Sequence, residues 1–214
     1  MKKIKCLITA GPTREHFDPV RYISNPSSGK MGWFIAEASK EIGWDTTLVL
    51  GPSALPNIDG VNVERVVSAE DMLTACRKHF GDCDILIMSA AVSDVRPKTI
   101  ITHKAKKNEI DLNPQLERTP DILLTLSKEK GDKILIGFAA ETQNVLEYAK
   151  GKLEQKNLDA IVANNVGKST TGFASDDNKI DVILRSGKVV DFPQASKKEL
   201  SKLLVKFLSD KFFK

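Results

Sequence analysis

Short apolar runs alternate along this chain with longer segments in which apolar residues recur every three or four positions. The runs read as strands at Lys5–Thr9, Thr46–Leu50, Val63–Val67, Asp84–Met88, Lys133–Phe138 and Asp159–Ala163. The periodic segments read as helices over Lys30–Ile42, Ala69–Phe80, Pro120–Lys130, Gln143–Lys156 and Ser196–Phe212. Met31, Phe34, Ile35 and Ala38 share one face of the first, and Leu200, Leu203, Leu204 and Phe207 one face of the last. Thr119 is the predicted N-cap of the third, with Pro120 at its first position. Lys179–Leu184 and Lys188–Asp191 flank Ser186-Gly187 and predict a hairpin. Residues 98–112 are lysine-rich and read as a loop or hairpin.

Short strands between amphipathic helices predict an α/β, Rossmann-like three-layer fold. Its sheet is mostly parallel, with helices on both faces and an antiparallel hairpin added at one edge. In such a fold the ligand crevice lies beyond the carboxyl ends of the strands, here where the loops after Thr9, Met88 and Phe138 converge. No composition shift or linker divides the chain, so residues 1–214 are expected to form one domain.

Composition narrows the class without naming a function. The 214 residues are 41% hydrophobic and 28% charged, with a net charge of +4. That mild excess does not argue for nucleic acid. No apolar stretch approaches the roughly 20 residues of a membrane span, and no signal peptide precedes the first strand, so a cytoplasmic location is expected. Cys6, Cys76 and Cys83 lack the spacing of a disulfide framework or zinc site and read as small buried hydrophobes. His16, His79 and His103 do not cluster with other metal-ligating residues.

The chemistry concentrates first in residues 9–32, TAGPTREHFDPVRYISNPSSGKMG. A strand feeds Gly11-Pro12, and Ser27-Ser28-Gly29 opens a helix. Small residues permit close backbone approach, and free N–H groups at a helix start favour an anion, so the first expectation is a phosphate or nucleotide site. It is not a standard one. Gly29-Lys30 is followed by Met31, and residue 24, where a P-loop needs glycine, is serine. The dinucleotide fingerprint is missing after the first strand, and the second ends in Val49-Leu50-Gly51-Pro52 with no acidic residue for a ribose. A nicotinamide-dependent oxidoreductase and a non-catalytic nucleotide-binding module remain as alternatives.

Four further segments stand out: Met88-Ser89-Ala90-Ala91-Val92-Ser93-Asp94, Lys104-Ala105-Lys106-Lys107, Gly137-Phe138-Ala139-Ala140-Glu141-Thr142 and Ala163-Asn164-Asn165-Val166. With ITAGPTRE, DPVRYISN-x-SSGKMG, AAV-x-D-x-RP and PDI, in this order, they make the chain resemble the bacterial type of phosphopantothenate–cysteine ligase (phosphopantothenoylcysteine synthetase) from residue 6 to about residue 190. Many members of that family carry histidine where this chain has Pro26. The resemblance implies a ligase of coenzyme A synthesis. CTP activates the carboxylate of 4′-phosphopantothenate as an acyl-cytidylate, and L-cysteine then displaces CMP. It also implies Mg2+ and a homodimer. Many members are fused behind a flavin-dependent decarboxylase; with Met1 just before the first strand, the stand-alone form is expected here, with any such decarboxylase a separate protein.

The site residues follow from the same resemblance. Lys104 matches the first lysine of K-x-KK and would meet the triphosphate; a solvated basic loop is the plain alternative. Asn25 would handle the acyl-phosphate, and Arg21 would face the phosphate of phosphopantothenate or serve as a structural ion-pair partner. Asp94 would lie near the ribose or its metal ion, or cap a helix. Gly11, Ser28 and Gly29 would shape the phosphate loop, and Met88, Ser89 and Ala90 would offer backbone groups. Pro120, Asp121, Ile122 and Leu123 would read cytosine, Phe138 would pack on the nucleotide, and Lys152 and Lys156 would reach the triphosphate. The loop from Lys98 to Asp111 is expected to be mobile until nucleotide neutralises its lysines.

Overall fold

The computed structural model of the protein describes residues 3–141, 144–165 and 177–214. In chain order the first half holds β1 (Lys5–Ala10), β2 (Arg14–His16), β3 (Tyr22–Ser24), α1 (Lys30–Glu41), β4 (Asp45–Leu50), β5 (Asn62–Arg65), α2 (Ala69–Phe80), β6 (Ile85–Met88) and β7 (Val95–Pro97). The second half holds β8 (Leu116–Arg118), α3 (Ile122–Ser127), β9 (Ile134–Glu141), α4 (Val145–Gln155), β10 (Ala160–Asn165), β11 (Asp177–Asn178), β12 (Ile180–Leu184), β13 (Val189–Asp191), β14 (Ala195–Ser196) and α5 (Lys197–Phe212).

Eight strands form one sheet in the order β13-β12-β10-β9-β6-β1-β4-β5. Pairing is parallel from β10 to β5, and β12 and β13 are added antiparallel at one edge, as the Ser186-Gly187 hairpin predicts. The parallel strands are apolar on both sides because both faces are covered. Along β1, Cys6, Ile8 and Ala10 join the core beneath α1 and α5, which supply Ile35, Leu200 and Leu204. Leu7 points the other way, to Met72 and Cys76 of α2, Leu126 of α3 and Leu153 of α4. That alternation makes the three layers. Each fully buried Leu or Ile contributes about 1.5–3 kcal/mol by leaving water. All three cysteines are free and buried, and burial raises the Cys76 and Cys83 thiols to about 12.

The structure corrects two sequence-based readings and bears out the loop-or-hairpin reading of residues 98–112. The segment between β1 and α1 is not a plain loop. β2 and β3 form an antiparallel ribbon because the Asp18 carboxylate closes its turn, accepting from the N–H groups of Val20 and Arg21 at 2.8 Å each. Helix α3 is capped by Asp121, not Thr119. The Asp121 carboxylate accepts from Leu124 N–H, whereas the Thr119 hydroxyl is drawn away to the Ser93 carbonyl. The lysine-rich stretch is the loop of an arm whose sides are β7 and β8. Gln143, the expected start of the fourth helix, lies outside the described residues, as do Thr142 and Val166 of the family motifs.

The arm is tied back to the ribbon. Ile101 N–H donates to the Phe17 carbonyl at 2.8 Å, and the buried Ala105 donates to Asp18 at 3.4 Å. Two close approaches then fix the loops at the carboxyl edge. Gly51 runs so near the next loop that a Cβ there would stand 1.9 Å from the Pro12 carbonyl oxygen. Gly29, at φ +77°, caps α1 and lies against Gly11.

Gly51→Ala is expected to destabilise the protein by about 3 kcal/mol or more, because the obstacle is backbone. Gly81→Ala, in open space at a right-handed helical conformation, is expected to be neutral or to stabilise by about 0.4–1 kcal/mol; urea denaturation of both compares them. The Asp18 carboxyl is pushed up by burial but held at about 2 by the Val20 and Arg21 N–H groups, the Arg21 guanidinium and Ala105 N–H. A depressed carboxylate supports its contacts fully above the ordinary value of about 3.9 and loses them as pH falls through its own. The Ala105 amide resonance is therefore expected to titrate near pH 2, and Asp18→Asn to abolish that titration.

Candidate active site

Chain order reverses between β6 and β1, the point at which an open α/β sheet offers a crevice. Here the chain itself stitches the two loops together. Thr9 accepts Ser89 N–H through its carbonyl (3.2 Å) and Ala90 N–H through its hydroxyl (3.2 Å). Gly11 carbonyl accepts Ala91 N–H (2.9 Å), and the Thr13 hydroxyl accepts Ser93 N–H (3.0 Å). From the other side, the Thr119 hydroxyl donates to the Ser93 carbonyl (2.5 Å), and Thr119 N–H donates to the Asp94 carbonyl (3.1 Å). The loop that carries Asp94 is thus held from both flanks, and cavities open beside it.

The larger cavity, 590 Å³, lies between the end of β6, the start of α3 and the side of α4. Most of the residues expected to hold nucleotide meet there: Met88, Ala90, Asp94 and Phe138 on the sheet side, Pro120, Asp121, Ile122 and Leu123 at the start of α3, and Lys152 and Lys156 from α4. Arg118 joins them. Lys156 pairs with Asp121 at 2.8 Å, so one carboxylate both caps α3 and fastens it to the end of α4. Asn25 is at the wall too. Its amide nitrogen donates to the carbonyls of Ala91 (3.2 Å) and Val92 (2.9 Å), which leaves its Oδ1 as an acceptor.

A smaller, more enclosed cavity of 120 Å³ adjoins it across Ala90, Ala91, Phe138 and Ala140. Ser28, Gly29 and Ser89 line this one. Its floor is the start of α1, which has no side-chain cap, and its far wall is Asn164, Asn178 and Lys197. Gly11 lines neither cavity; with φ +81° and its neighbours Gly51 and Gly29 in contact range, its role is conformational.

Two expected residues stand apart. Arg21 pairs with the buried Asp18 at 2.5 Å and donates to the Ala105 carbonyl. It lines a separate cavity beneath the lysine loop. Lys104 is exposed and lines neither of the two adjoining cavities. Asp18 joins both, since it holds Arg21 directly and the residue next to Lys104 through Ala105 N–H. Sequence reasoning missed Asp18, Thr13, Thr119, Asn164 and Lys197. Asp18, Thr13 and Asn164 fall inside the singled-out segments, but nothing in a local pattern says that Asp18 grips a loop 87 residues away. Lys197 carried no signal beyond opening a helix after Ser196.

Comparisons with known proteins agree with this architecture. The family described as DNA/pantothenate metabolism flavoprotein C-terminal domain matches residues 1–211. The chain is 44% identical over 196 residues to the coenzyme A biosynthesis bifunctional protein CoaBC of Bacillus subtilis, covering 91% of this chain and 48% of that protein. It therefore spans about half the length of the curated relatives it matches. The crystal structure of the C-terminal domain of a coenzyme A biosynthesis bifunctional protein CoaBC is 42% identical, with a TM-score of 0.82, covering 99% of this chain and 98% of that one. A Cab2 variant in complex with phosphopantothenate-cysteine shares the fold at 15% identity and a TM-score of 0.76, over 98% of this chain and 87% of its own. A match over nearly every residue, together with the sheet order and the clustered motifs, means that this chain belongs to the DNA/pantothenate metabolism flavoprotein C-terminal domain family.

Proposed function

We propose that the protein is a phosphopantothenate–cysteine ligase that uses CTP, and that the adjoining cavities are its active site. The observation that carries the reading is the convergence of Asn25, Asp94, Pro120–Leu123, Phe138, Lys152 and Lys156 on one 590 Å³ cavity at the carboxyl edge of a parallel sheet. The relatives' printed names point to coenzyme A biosynthesis, and the Cab2 variant binds phosphopantothenate-cysteine.

In the first step a carboxylate oxygen of 4′-phosphopantothenate attacks the α-phosphorus of CTP. The bond from that phosphorus to the bridging oxygen breaks and pyrophosphate leaves. In the second, the amine of L-cysteine attacks the acyl carbon, the bond to CMP breaks, and the amine gives up a proton. The protein's contribution is to hold two anionic reactants in line and to oppose their charge. Lys152, Lys156 and Arg118 place cations around the cavity, and Phe138 offers a face for the base. Among the described residues no cluster of three or more His, Cys, Asp or Glu could hold a metal ion. With the Asp121 carboxylate already paired to Lys156, the Asp94 carboxylate suits Mg2+ that arrives on the triphosphate, since that ion usually takes one or two carboxylates and keeps its remaining positions for phosphate and water. When bound, Mg2+ would neutralise phosphate charge.

Lys104 reaches a triphosphate either from a moved loop or from a second copy of the chain, and a homodimer would supply the second. Exposed Val20, Ile100, Leu112 and Leu116 on the ribbon and arm give such a contact apolar surface.

Pyrophosphate release dependent on 4′-phosphopantothenate, faster with CTP than with ATP, is the expected outcome, and none with either nucleotide overturns the reading. Lys104→Gln is expected to slow that release about 10²–10³-fold without changing the unfolding transition. Mixing Lys104→Gln with Asn25→Asp subunits is expected to restore part of the activity if Lys104 acts across a dimer. Asn25→Asp alone turns a carboxylate toward two carbonyl oxygens, a loss of about 1–3 kcal/mol of hydrogen bonding. It is expected to lower steady-state turnover at least tenfold.

A further inference from the structure

A separate cavity of 770 Å³ opens over the carboxyl ends of β4 and β5, on the opposite side of β1 from the larger catalytic cavity. It shares no lining residue with that 590 Å³ cavity. The turn at Ser27 and Ser28 forms only a stretch of its wall, and the Ser28 carbonyl there already accepts the Ser53 hydroxyl at 3.0 Å. Its volume lies in the ordinary range for small-molecule sites, about 300–1,000 Å³.

The charge on its walls has one sign. Arg14, His16 and Arg65 line it together with Lys30, and none of the described residues around it is acidic. In a chain with 28 acidic residues against 32 basic ones, such segregation favours an anion. The period of a strand explains part of it. Arg14 and His16 lie two apart on β2 and line the cavity, whereas Glu15 between them turns to the other face. There it is 4% exposed and accepts Ala69 N–H at 2.8 Å, so the carboxylate of the strand is kept out of the cavity.

The cations are not equivalent. Arg65 gives its N–H groups to the carbonyls of Ser53 (3.4 Å) and Leu55 (2.7 Å) and to Asn57 Oδ1 (2.9 Å). It shapes the loop at residues 53–57 and lends the cavity charge alone. The Arg14 guanidinium lies over the Tyr22 ring, 4.5 Å from its centroid. A contact on its face leaves the in-plane N–H groups suited to an oxyanion. His16 packs against the same ring, centroids 5.2 Å apart, and its Nδ1 donates to the Asp18 carbonyl at 3.1 Å, which orients the ring and leaves Nε2 for a ligand.

Apolar surface lies beside these groups. Leu55, Val66 and Val67 line the same cavity, and Val67 is 46% exposed. The combination fits an organic anion with an apolar body. Its place in the sheet narrows the choice. In a doubly wound sheet each half serves one nucleotide, and beyond the second strand a carboxylate takes the ribose hydroxyls or an arginine takes a phosphate carried on them. Here β4 runs into Gly51-Pro52 with no carboxylate, and Arg14 and Arg65 stand in its place.

We propose that this cavity binds a nucleoside phosphorylated on its ribose, away from the catalytic cavity. Arg14 and His16 take the phosphate, Arg65 adds charge, and Leu55, Val66 and Val67 carry the base. The assignment is independent of the ligase reading.

Adenosine 2′-monophosphate is the probe, with adenosine and inorganic phosphate as its two halves, each followed by calorimetry on the whole protein. The probe is expected to bind about tenfold or more tighter than either half, and equally well when CTP and Mg2+ are saturating. Arg14→Met is expected to weaken it about tenfold or more, and Arg14→Lys to restore part of the loss. Lys202→Met, on α5, is expected to change nothing. The comparison with adenosine on the wild-type protein stands even if Arg14→Met fails to fold. No binding of the probe at millimolar concentration overturns the proposal, as does binding no tighter than that of inorganic phosphate, which would mark adventitious anion binding only. Displacement by CTP or by 4′-phosphopantothenate overturns it too, by making the cavity an outlying part of the catalytic site. So does a folded Arg14→Met that binds as wild type does.

Discussion

The stitching between the loops after β1 and β6 is the constraint on which the site depends. Thr9 and Thr13 are fully buried, and their hydroxyls and the carbonyls of Thr9 and Gly11 accept N–H groups from Ser89, Ala90, Ala91 and Ser93. Buried N–H groups left unpaired are costly, so these bonds fix the path of the second loop within narrow limits. Everything the larger cavity needs follows from that path. Asp94 is set at its mouth, Thr119 is held against Ser93 just before α3, and Asn25 is anchored on Ala91 and Val92. A polar side chain within the first strand thereby determines where a carboxylate eighty-five residues later can stand.

Around that fixed seam the remaining site elements hang on single ionic joints. Lys156 and Asp121 join α4 to α3, and Asp18 joins the β2–β3 ribbon to the lysine loop through Arg21 and Ala105. The first joint is partly exposed and contributes modestly to stability, but it ties two walls of the larger cavity together. The second holds the loop that carries Lys104 at a point next to that residue. Positioning is what these pairs contribute to the site.

The layered fold was legible because burial on both faces leaves a strong signature: five-residue apolar strands and helices with one apolar stripe, ending in a hairpin marked by Ser186-Gly187. Most residues of the larger cavity were legible as family motifs. What escaped was non-local. Thr119 looks like a helix cap until Ser93 competes for its hydroxyl, and the cap then passes to Asp121. Asp18 lies inside a family motif, but its hold on Ala105 depends on a fold that no window of sequence contains. Lys197 carries no local signal, and its burial is visible only in the fold, where it lines the smaller cavity with Asn164 of β10 and Met31 of α1.

The contact of Gly29 with Gly11 carries one more consequence. In an open α/β sheet the space above the end of the first strand is where a dinucleotide lays its two linked phosphates, with one nucleotide to either side. Here the chain fills that space with its own backbone: a Cβ on Gly29 would stand 3.1 Å from the Gly11 Cα, so nothing fits between them. The sheet keeps the framework of a two-nucleotide binder while its saddle is blocked, and the side bounded by β6, β9 and β10 is left to work by itself. The place where a dinucleotide's linked phosphates lie in this class of fold is thereby occupied by the chain's own backbone.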